Sequence, residues 1–86
     1  MPDGLRMSDA RLRGMAHERI LDGRLPVMFS PTFRPQYGAN EACQLCGQTI
    51  DRYHVQYEVT DPRSGYELLF HLVCYRIWQV ECWAPC

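Results

Sequence analysis

The hydrophobic positions of the chain change their spacing several times, and each change marks a boundary between predicted elements. Between residues 8 and 23, apolar residues recur at intervals of three and four, at Leu12, Met15, Ala16 and Ile20. This spacing predicts an amphipathic helix with one apolar face. Ser8 is suited to cap its amino end and Gly23 to end it, because serine accepts backbone N–H groups and glycine readily adopts positive φ.

The segment that follows, residues 24–42, has no sustained period. It contains Pro26, Pro31 and Pro35, and each proline disfavours helix at the residue before it. The segment is therefore predicted to be an extended connector. Its apolar residues are too numerous for a free linker, so we expect part of it to pack against the folded domain. These residues are Leu25, Val27, Met28, Phe29, Phe33 and Tyr37.

A hairpin and a second helix are predicted in the last third of the chain. Apolar and polar residues alternate from Tyr53 to Thr60, which is typical of a half-buried strand with Tyr53, Val55, Tyr57 and Val59 on one face. Residues 61–65 favour a turn and residues 66–70 a returning strand. A helix is predicted from about His71, with one stripe of Val73, Ile77 and Val80 and a neighbouring stripe of His71, Cys74 and Trp78.

The length and composition limit the class of protein. A chain of 86 residues makes one small domain, whose apolar core alone rarely guarantees stability, so an additional crosslink is expected. The amino-terminal residues lack the apolar segment of a secretory signal, and no apolar run reaches the ~20 residues that cross a bilayer. We therefore expect a cytoplasmic protein without membrane contact, in which five cysteines favour a metal over disulfides.

The charge is close to neutral but unevenly distributed. The formal net charge is −1, with six arginines and four carboxylates in residues 1–40 and three and six in residues 41–86. This balance argues against a strongly basic nucleic-acid-binding protein. If nucleic acid is nevertheless the partner, the candidates for phosphate contacts are Arg6, Arg11, Arg13, Arg19 and Arg24.

Two short pairs of metal-binding residue types carry the candidate chemistry. Cys43 and Cys46 form a CxxCG motif, and His71 and Cys74 form an HxxC motif 24 residues further on. Zinc in structural sites takes four such ligands in a tetrahedron. Gly47 permits the tight turn behind the first pair, and residues three apart at a helix start share one face. The hairpin returns the chain between the pairs, so we predict one structural zinc held by these four residues.

The order of a cysteine knuckle, a hairpin and a helix that carries the last ligands resembles the treble-clef class of zinc fingers. The ligand set also resembles one half of a LIM-type or RING-type module, although a second set of four ligands is missing. The resemblance covers residues 43 to about 82 and implies a small α+β domain with a structural zinc, without implying one activity. Residues 43–86 would then form a treble-clef-like zinc-binding domain, and residues 1–42 a helix and connector packed on it. The motifs GRLP, CQLCG and FHLVCYRIW are similar to those of short uncharacterised bacterial proteins, which implies no function.

Other interpretations of the cysteines stay open at this stage. A redox CxxC pair normally opens a helix within a βαβ unit, and no such unit surrounds Cys43. A cysteine nucleophile needs an oriented histidine and a pocket, and buried cysteines spaced by chance would have no chemistry at all. Cys82 lies about 12 Å beyond Cys74 along an unbroken helix, so it is expected in the core or as a spare thiol. Cys86 is expected to be frayed, and His17 and His54 to lie on the surface.

Four protein ligands leave no open coordination position for an activated water, so the zinc is expected to be structural and the protein not an enzyme. A protein partner is expected to bind the exposed aromatic residues, with Phe29, Phe33 and Trp83 as the candidates. The alternative is that these residues pack the first helix onto the finger. The other functional hypothesis is nucleic-acid binding through Arg11, Arg13 and Arg19.

Overall fold

The structure is a computed structural model that describes residues 8–83. This part of the chain forms two helices and five strands, which are α1 (Asp9–Leu21), β1 (Arg34–Tyr37), β2 (Glu41–Ala42), β3 (Thr49–Ile50), β4 (Val55–Thr60), β5 (Glu67–His71) and α2 (Leu72–Trp83). Strands β1, β4 and β5 form an antiparallel sheet in that order, and β2 pairs with β3. The expectation of a small α+β domain is confirmed. No helix among residues 8–83 has the length and apolar character needed to cross a membrane.

The first helix follows its sequence signals closely. The Ser8 hydroxyl accepts the N–H of Arg11 at 3.2 Å, and Gly23 has a φ of +84° just beyond the last turn. Leu12 and Ala16 are buried where α1 packs on α2. The predicted apolar face is therefore confirmed.

Part of the connector forms regular structure, although it contains three prolines. Its last part forms β1, which pairs with β4, so the sheet has one strand more than the predicted hairpin. The earlier part runs along α2, with Leu25 buried in the core. The indole Nε1 of Trp78 donates to the Pro26 carbonyl at 3.0 Å, and the Gln79 amide donates to the Met28 carbonyl at 3.0 Å. Part of the connector thus packs on the domain, as expected.

The predicted alternation of the first hairpin strand is wrong at its beginning. Strand β4 starts only at Val55, because Asp51 holds a turn in which its Oδ1 accepts the Tyr53 N–H at 2.8 Å and its carbonyl accepts the His54 N–H at 3.1 Å. Tyr53 is consequently exposed rather than packed. Gln56, predicted on the outer face, is buried because β4 is the central strand of the sheet. The returning strand is confirmed, one residue later than predicted.

The second helix turns to the core a face that combines residues of both predicted stripes. Its buried residues are Cys74, Ile77, Trp78 and Cys82. The Trp78 ring stacks on Phe70 of β5 with centroids 4.8 Å apart, and this contact fixes the rotation of the helix. Val73 and Val80 are therefore 38% and 51% exposed, so the stripe that they form with Ile77 is only partly buried.

Candidate metal centre

The first cysteine pair lies in a tight turn between β2 and β3. The Gly47 N–H donates to the Cys43 carbonyl at 3.0 Å, and the Cys43 N–H donates to the Gln48 carbonyl at 2.9 Å. Gly47 has a φ of +77°, a conformation that is strained for residues with a Cβ. The fully buried Leu45 side chain anchors the turn in the core. Both sulfurs consequently point to the same side.

Backbone N–H groups also face these sulfurs. The Leu45 N–H lies 3.4 Å from the Cys43 Sγ, and the Gln48 N–H lies 3.4 Å from the Cys46 Sγ. Such donors stabilise the negative charge of a thiolate. The turn is therefore built to present sulfur in its charged, metal-binding form.

The second pair lies where β5 passes into α2. His71 is the last residue of β5 and Cys74 lies in the first turn of α2. The cysteine turn is attached to this strand because the Gln44 N–H donates to the Leu69 carbonyl at 2.7 Å. This attachment brings the two sequence-distant pairs together.

The four predicted ligands converge in space. Their ligand atoms, the sulfurs of Cys43, Cys46 and Cys74 and a ring nitrogen of His71, all lie within 4.8 Å of one another. The Cys46 Sγ and the His71 Nδ1 are 3.5 Å apart. In a tetrahedral zinc site, a sulfur and a nitrogen ligand lie about 3.5 Å apart, given bonds of about 2.3 and 2.0 Å. The arrangement can therefore hold a metal ion.

The orientation of the His71 ring suits metal binding. Its Nε2 lies 3.3 Å from the Thr49 carbonyl oxygen, so the Nε2–H donates to that oxygen. The lone pair of the neutral ring is then on Nδ1, the nitrogen that faces the sulfurs. A carbonyl that fixes the tautomer of a histidine ligand is a common feature of metal sites.

The four groups compete strongly for protons. A hydrogen bond from Cys74, opposed by burial, sets the pKa of the Cys43 thiol at about 3. The same contact raises the pKa of Cys74, burial raises the pKa of Cys46, and the hydrogen bond with Cys43 raises the pKa of His71. Hydrogen bonds from the protonated groups thus stabilise the negative charge of the Cys43 sulfur. A divalent cation would stabilise the sulfurs in their place, and its binding would release the protons.

The centre is covered on one side only. Cys43 and Cys74 are buried, whereas Cys46 and His71 are half-buried and reach the floor of an open groove of about 510 Å³. The other residues along this groove come from α1, the Asp51 turn, β4 and α2. They are Asp9, Leu12, Gln48, Tyr53, His54, Val55, Leu72 and Val73.

Cys82, His17 and His54 are not members of the four-residue cluster, although the centroid of the His54 ring lies only 6.3 Å from that of the His71 ring. The exposed His54 places its Nδ1 2.8 Å from Asp51 Oδ1, and the His17 Nδ1 lies 3.8 Å from Glu81 Oε1. Cys82 is buried, with its Sγ 3.8 Å from the Pro26 carbonyl, as expected for a core residue. Cys86 and Arg6 lie outside the described residues.

The three aromatic candidates for partner binding pack partly on the domain itself. The rings of Phe29 and Trp83 are 4.5 Å apart at their centroids, yet the two residues stay 56% and 62% exposed. Phe33 stacks on Tyr57 at 4.8 Å and also contacts Tyr75 at 5.2 Å. These contacts pack the connector against the sheet and α2. They do not involve the first helix.

The four candidate arginines within residues 8–83 are not all free of ion pairs. The Arg13 Nε donates to Glu81 Oε2 at 3.1 Å, and an Arg24 Nη lies 2.8 Å from Asp22 Oδ2. Arg11 is exposed and Arg19 is half-buried. Two of the four described arginines are therefore already paired with carboxylates.

The four residues of the cluster are marked by their spacing in the sequence, whereas the groups that orient them are not. The Thr49 carbonyl and the contact between Gln44 and Leu69 involve backbone atoms. Every residue type offers these atoms, so no sequence signal indicated them.

Comparison with protein-family models, with curated proteins and with solved structures gave no match for this chain. The fold and the site by themselves define the class, which is a small α+β domain with a cluster of three cysteines and one histidine that can hold a metal ion. Any finer assignment of function must come from the chemistry of that cluster and of the surface around it.

Proposed function

We propose that the protein is a non-enzymatic zinc-binding module, with a treble-clef-like finger that holds one structural zinc. The observation that carries the proposal is the convergence of three cysteine sulfurs and the His71 Nδ1 within 4.8 Å. Thiolate ligands favour zinc over the hard cations magnesium and calcium. Four protein ligands fill a tetrahedron and leave no position for a reactive water.

The zinc would act as a crosslink between the two halves of the finger. It joins the turn between β2 and β3 to the junction of β5 and α2, next to the backbone hydrogen bond from Gln44 to Leu69. Structural zinc contributes about 10 to 16 kcal/mol of apparent binding free energy at neutral pH. A core of this size rarely provides as much net stability by itself. A cytoplasmic location is part of the proposal, because a reducing compartment keeps the cysteines available as ligands.

The module is proposed to bind another protein. The exposed faces of Phe29 and Trp83 form an aromatic pair on the surface, and Phe33 adds a third ring that is 40% exposed. Aromatic residues dominate the binding energy of many protein interfaces. Nucleic-acid binding is the less favoured alternative, because Glu81 and Asp22 already engage Arg13 and Arg24.

Metal analysis together with X-ray absorption spectroscopy, on protein purified without added metal, tests the zinc assignment. We expect one zinc per chain with three sulfur ligands and one nitrogen ligand. Cys82→Ala is the matched control, because it removes a buried cysteine outside the cluster, and it should leave the spectrum unchanged. Two ions per chain, or a folded protein without metal, would contradict the assignment.

A further inference from the structure

The side of α2 that faces away from the core is itself apolar. Leu72, Val73, Val80 and Trp83 are 43%, 38%, 51% and 62% exposed, and Arg76 lies exposed among them. Residues 73, 76, 80 and 83 are separated by three, four and three positions, which aligns them in one stripe along a helix. These five residues are called the outer face of α2 below.

A helix at the surface of a domain normally has a polar outer side. In α2 the inner side is buried through Cys74, Ile77, Trp78 and Cys82, so both sides of the helix are apolar. This pattern is typical of a helix that is covered all round. The outer face is therefore expected to be covered when the protein acts.

The polar residues of α2 do not make its outer face polar. Gln79 is used by the connector, since its amide donates to the Met28 carbonyl and accepts the Ser30 N–H, each at 3.0 Å. Glu81 lies toward α1 and pairs with Arg13. Arg76 is the remaining charged residue, and among residues 8–83 it has no hydrogen bond or ion pair.

The apolar surface continues beyond both ends of the outer face. At the carboxyl end, the Phe29 ring lies against Trp83. At the amino end, Leu72 and Val73 line the groove together with Leu12 and Val55. The 12 residues of α2 extend about 18 Å at 1.5 Å per residue. This length matches about three turns of a second helix, the usual extent of a helix bound in a groove.

The unpaired Arg76 identifies the chemistry of the partner. A guanidinium that becomes buried within an apolar interface is strongly destabilising unless a carboxylate pairs with it. A second copy packed antiparallel would place Arg76 opposite Val80 of that copy. The carboxylate of α2, Glu81, is held by Arg13, so a second copy that packs through its own α2 supplies no free carboxylate from that helix.

We propose that the outer face of α2 binds an amphipathic helix of another protein, with Val73, Val80 and Trp83 against its apolar residues and Arg76 paired with an aspartate or glutamate among them. This inference rests on the proposed protein-binding function and gives it a site and a partner chemistry. The zinc would fix the amino end of α2, because Cys74 lies in the first turn of this helix.

Selection from a display library of helical peptides on the immobilised, zinc-loaded full chain tests the proposal. We expect enriched peptides with an acidic residue flanked by apolar residues three or four positions away. Val80→Ser should weaken binding of an enriched peptide by about tenfold or more, as for a central interface residue. Arg76→Glu should reverse the selection and enrich lysine or arginine at the acidic position.

Tyr37→Ser is the matched control. Tyr37 is 80% exposed and belongs to β1, which is distant from α2 in the sequence. This variant should bind the peptide as the original chain does. Zinc content and circular dichroism establish that each variant is folded.

Peptides that bind without an acidic residue, or equally well to Val80→Ser, would overturn the proposal. A dimer of the free chain that Val80→Ser dissociates would also overturn it, in favour of a second copy. Peptide binding that is lost only with Phe33→Ala would retain the protein-binding function and reject this site, whereas enrichment of no peptide would reject both.

Discussion

Cys74 and Cys82 are buried cysteines of the same helix, and their positions give the two thiols different chemistry. Cys74 lies in the first turn of α2, where its Sγ joins the other three ligand atoms. Cys82 lies near the other end, where its Sγ approaches the Pro26 carbonyl at 3.8 Å. Burial raises the pKa of Cys82, which keeps it in the thiol form. Cys74 thus belongs to the cluster that can hold a metal ion, whereas Cys82 fills space in the core.

Replacing each cysteine separately should therefore have opposite consequences. Cys74→Ala removes one of four ligands and should abolish zinc binding, with loss of the structure of residues 43–82, because the metal supplies about 10 to 16 kcal/mol in such sites. Cys82→Ala removes one buried sulfur and should cost about 1 kcal/mol. Zinc content by mass spectrometry and helix content by circular dichroism measure both effects.

Chelation of the unmodified protein is the reference for this pair. The circular dichroism spectrum of Cys74→Ala should match that of the chelated chain. If Cys82→Ala loses zinc while Cys74→Ala retains it, the ligand set is incorrect.

At the scale of elements, two turns use the same local motif in different surroundings. Asp22 pairs with Arg24, and Asp61 pairs with Arg63 at 3.0 Å. The Asp61 side chain is 6% exposed, against 44% for Asp22. The hydrogen bond with Arg63 lowers the pKa of Asp61, and Arg63 also donates to the Gly23 carbonyl at 2.8 Å. The second motif thus fastens the hairpin turn to the end of α1.

Asp61→Ala should destabilise the domain by about 1 to 3 kcal/mol, because it removes a buried carboxylate that accepts three charge-assisted or backbone hydrogen bonds from Arg63. Asp22→Ala removes an exposed ion pair and should leave the unfolding midpoint almost unchanged. Denaturant unfolding of the zinc-loaded protein compares the two variants. If both substitutions lowered the free energy of unfolding equally, burial would not explain how much each motif contributes to stability.

The elements that the sequence predicted best are those whose signal is local. Helix α1 has a cap at Ser8, a stop at Gly23 and a periodic apolar face, and all three were confirmed. Strand β1 was missed because Pro35 interrupts it and all four of its residues are exposed, so no alternation marks it. Its stability comes from pairing with β4, a contact between distant parts of the chain.

The rotation of α2 could not be predicted for a similar reason. Apolar residues surround this helix, so the sequence pattern allows more than one buried face. The stack of Trp78 on Phe70 selects the face in the folded domain. The convergence of the four cluster residues was predictable because short fixed spacings, CxxC and HxxC, mark them without knowledge of the fold.

At the scale of the whole molecule, charge decides between the two classes of partner. The formal net charge is −1, and the described arginines of the first 24 residues are interleaved with carboxylates. Arg13 is bonded to Glu81, and Arg24 to Asp22. Only Arg11 and Arg19 then remain on α1 without such a partner among the described residues. This surface offers a weak positive field compared with that of a nucleic-acid-binding domain.

Titration with duplex DNA and with RNA near physiological salt should accordingly give binding weaker than micromolar. If the arginines bound phosphates, affinity would fall steeply with salt, because each neutralised phosphate releases condensed counterions. The salt slope would also shrink by about one for each arginine removed. Arg11→Ala combined with Arg19→Ala, the two arginines without an ion pair, is the sensitive variant, and Arg24→Ala is its control. Tight binding with a salt slope that only the double variant reduces would reject a protein partner and establish the nucleic-acid function in its place.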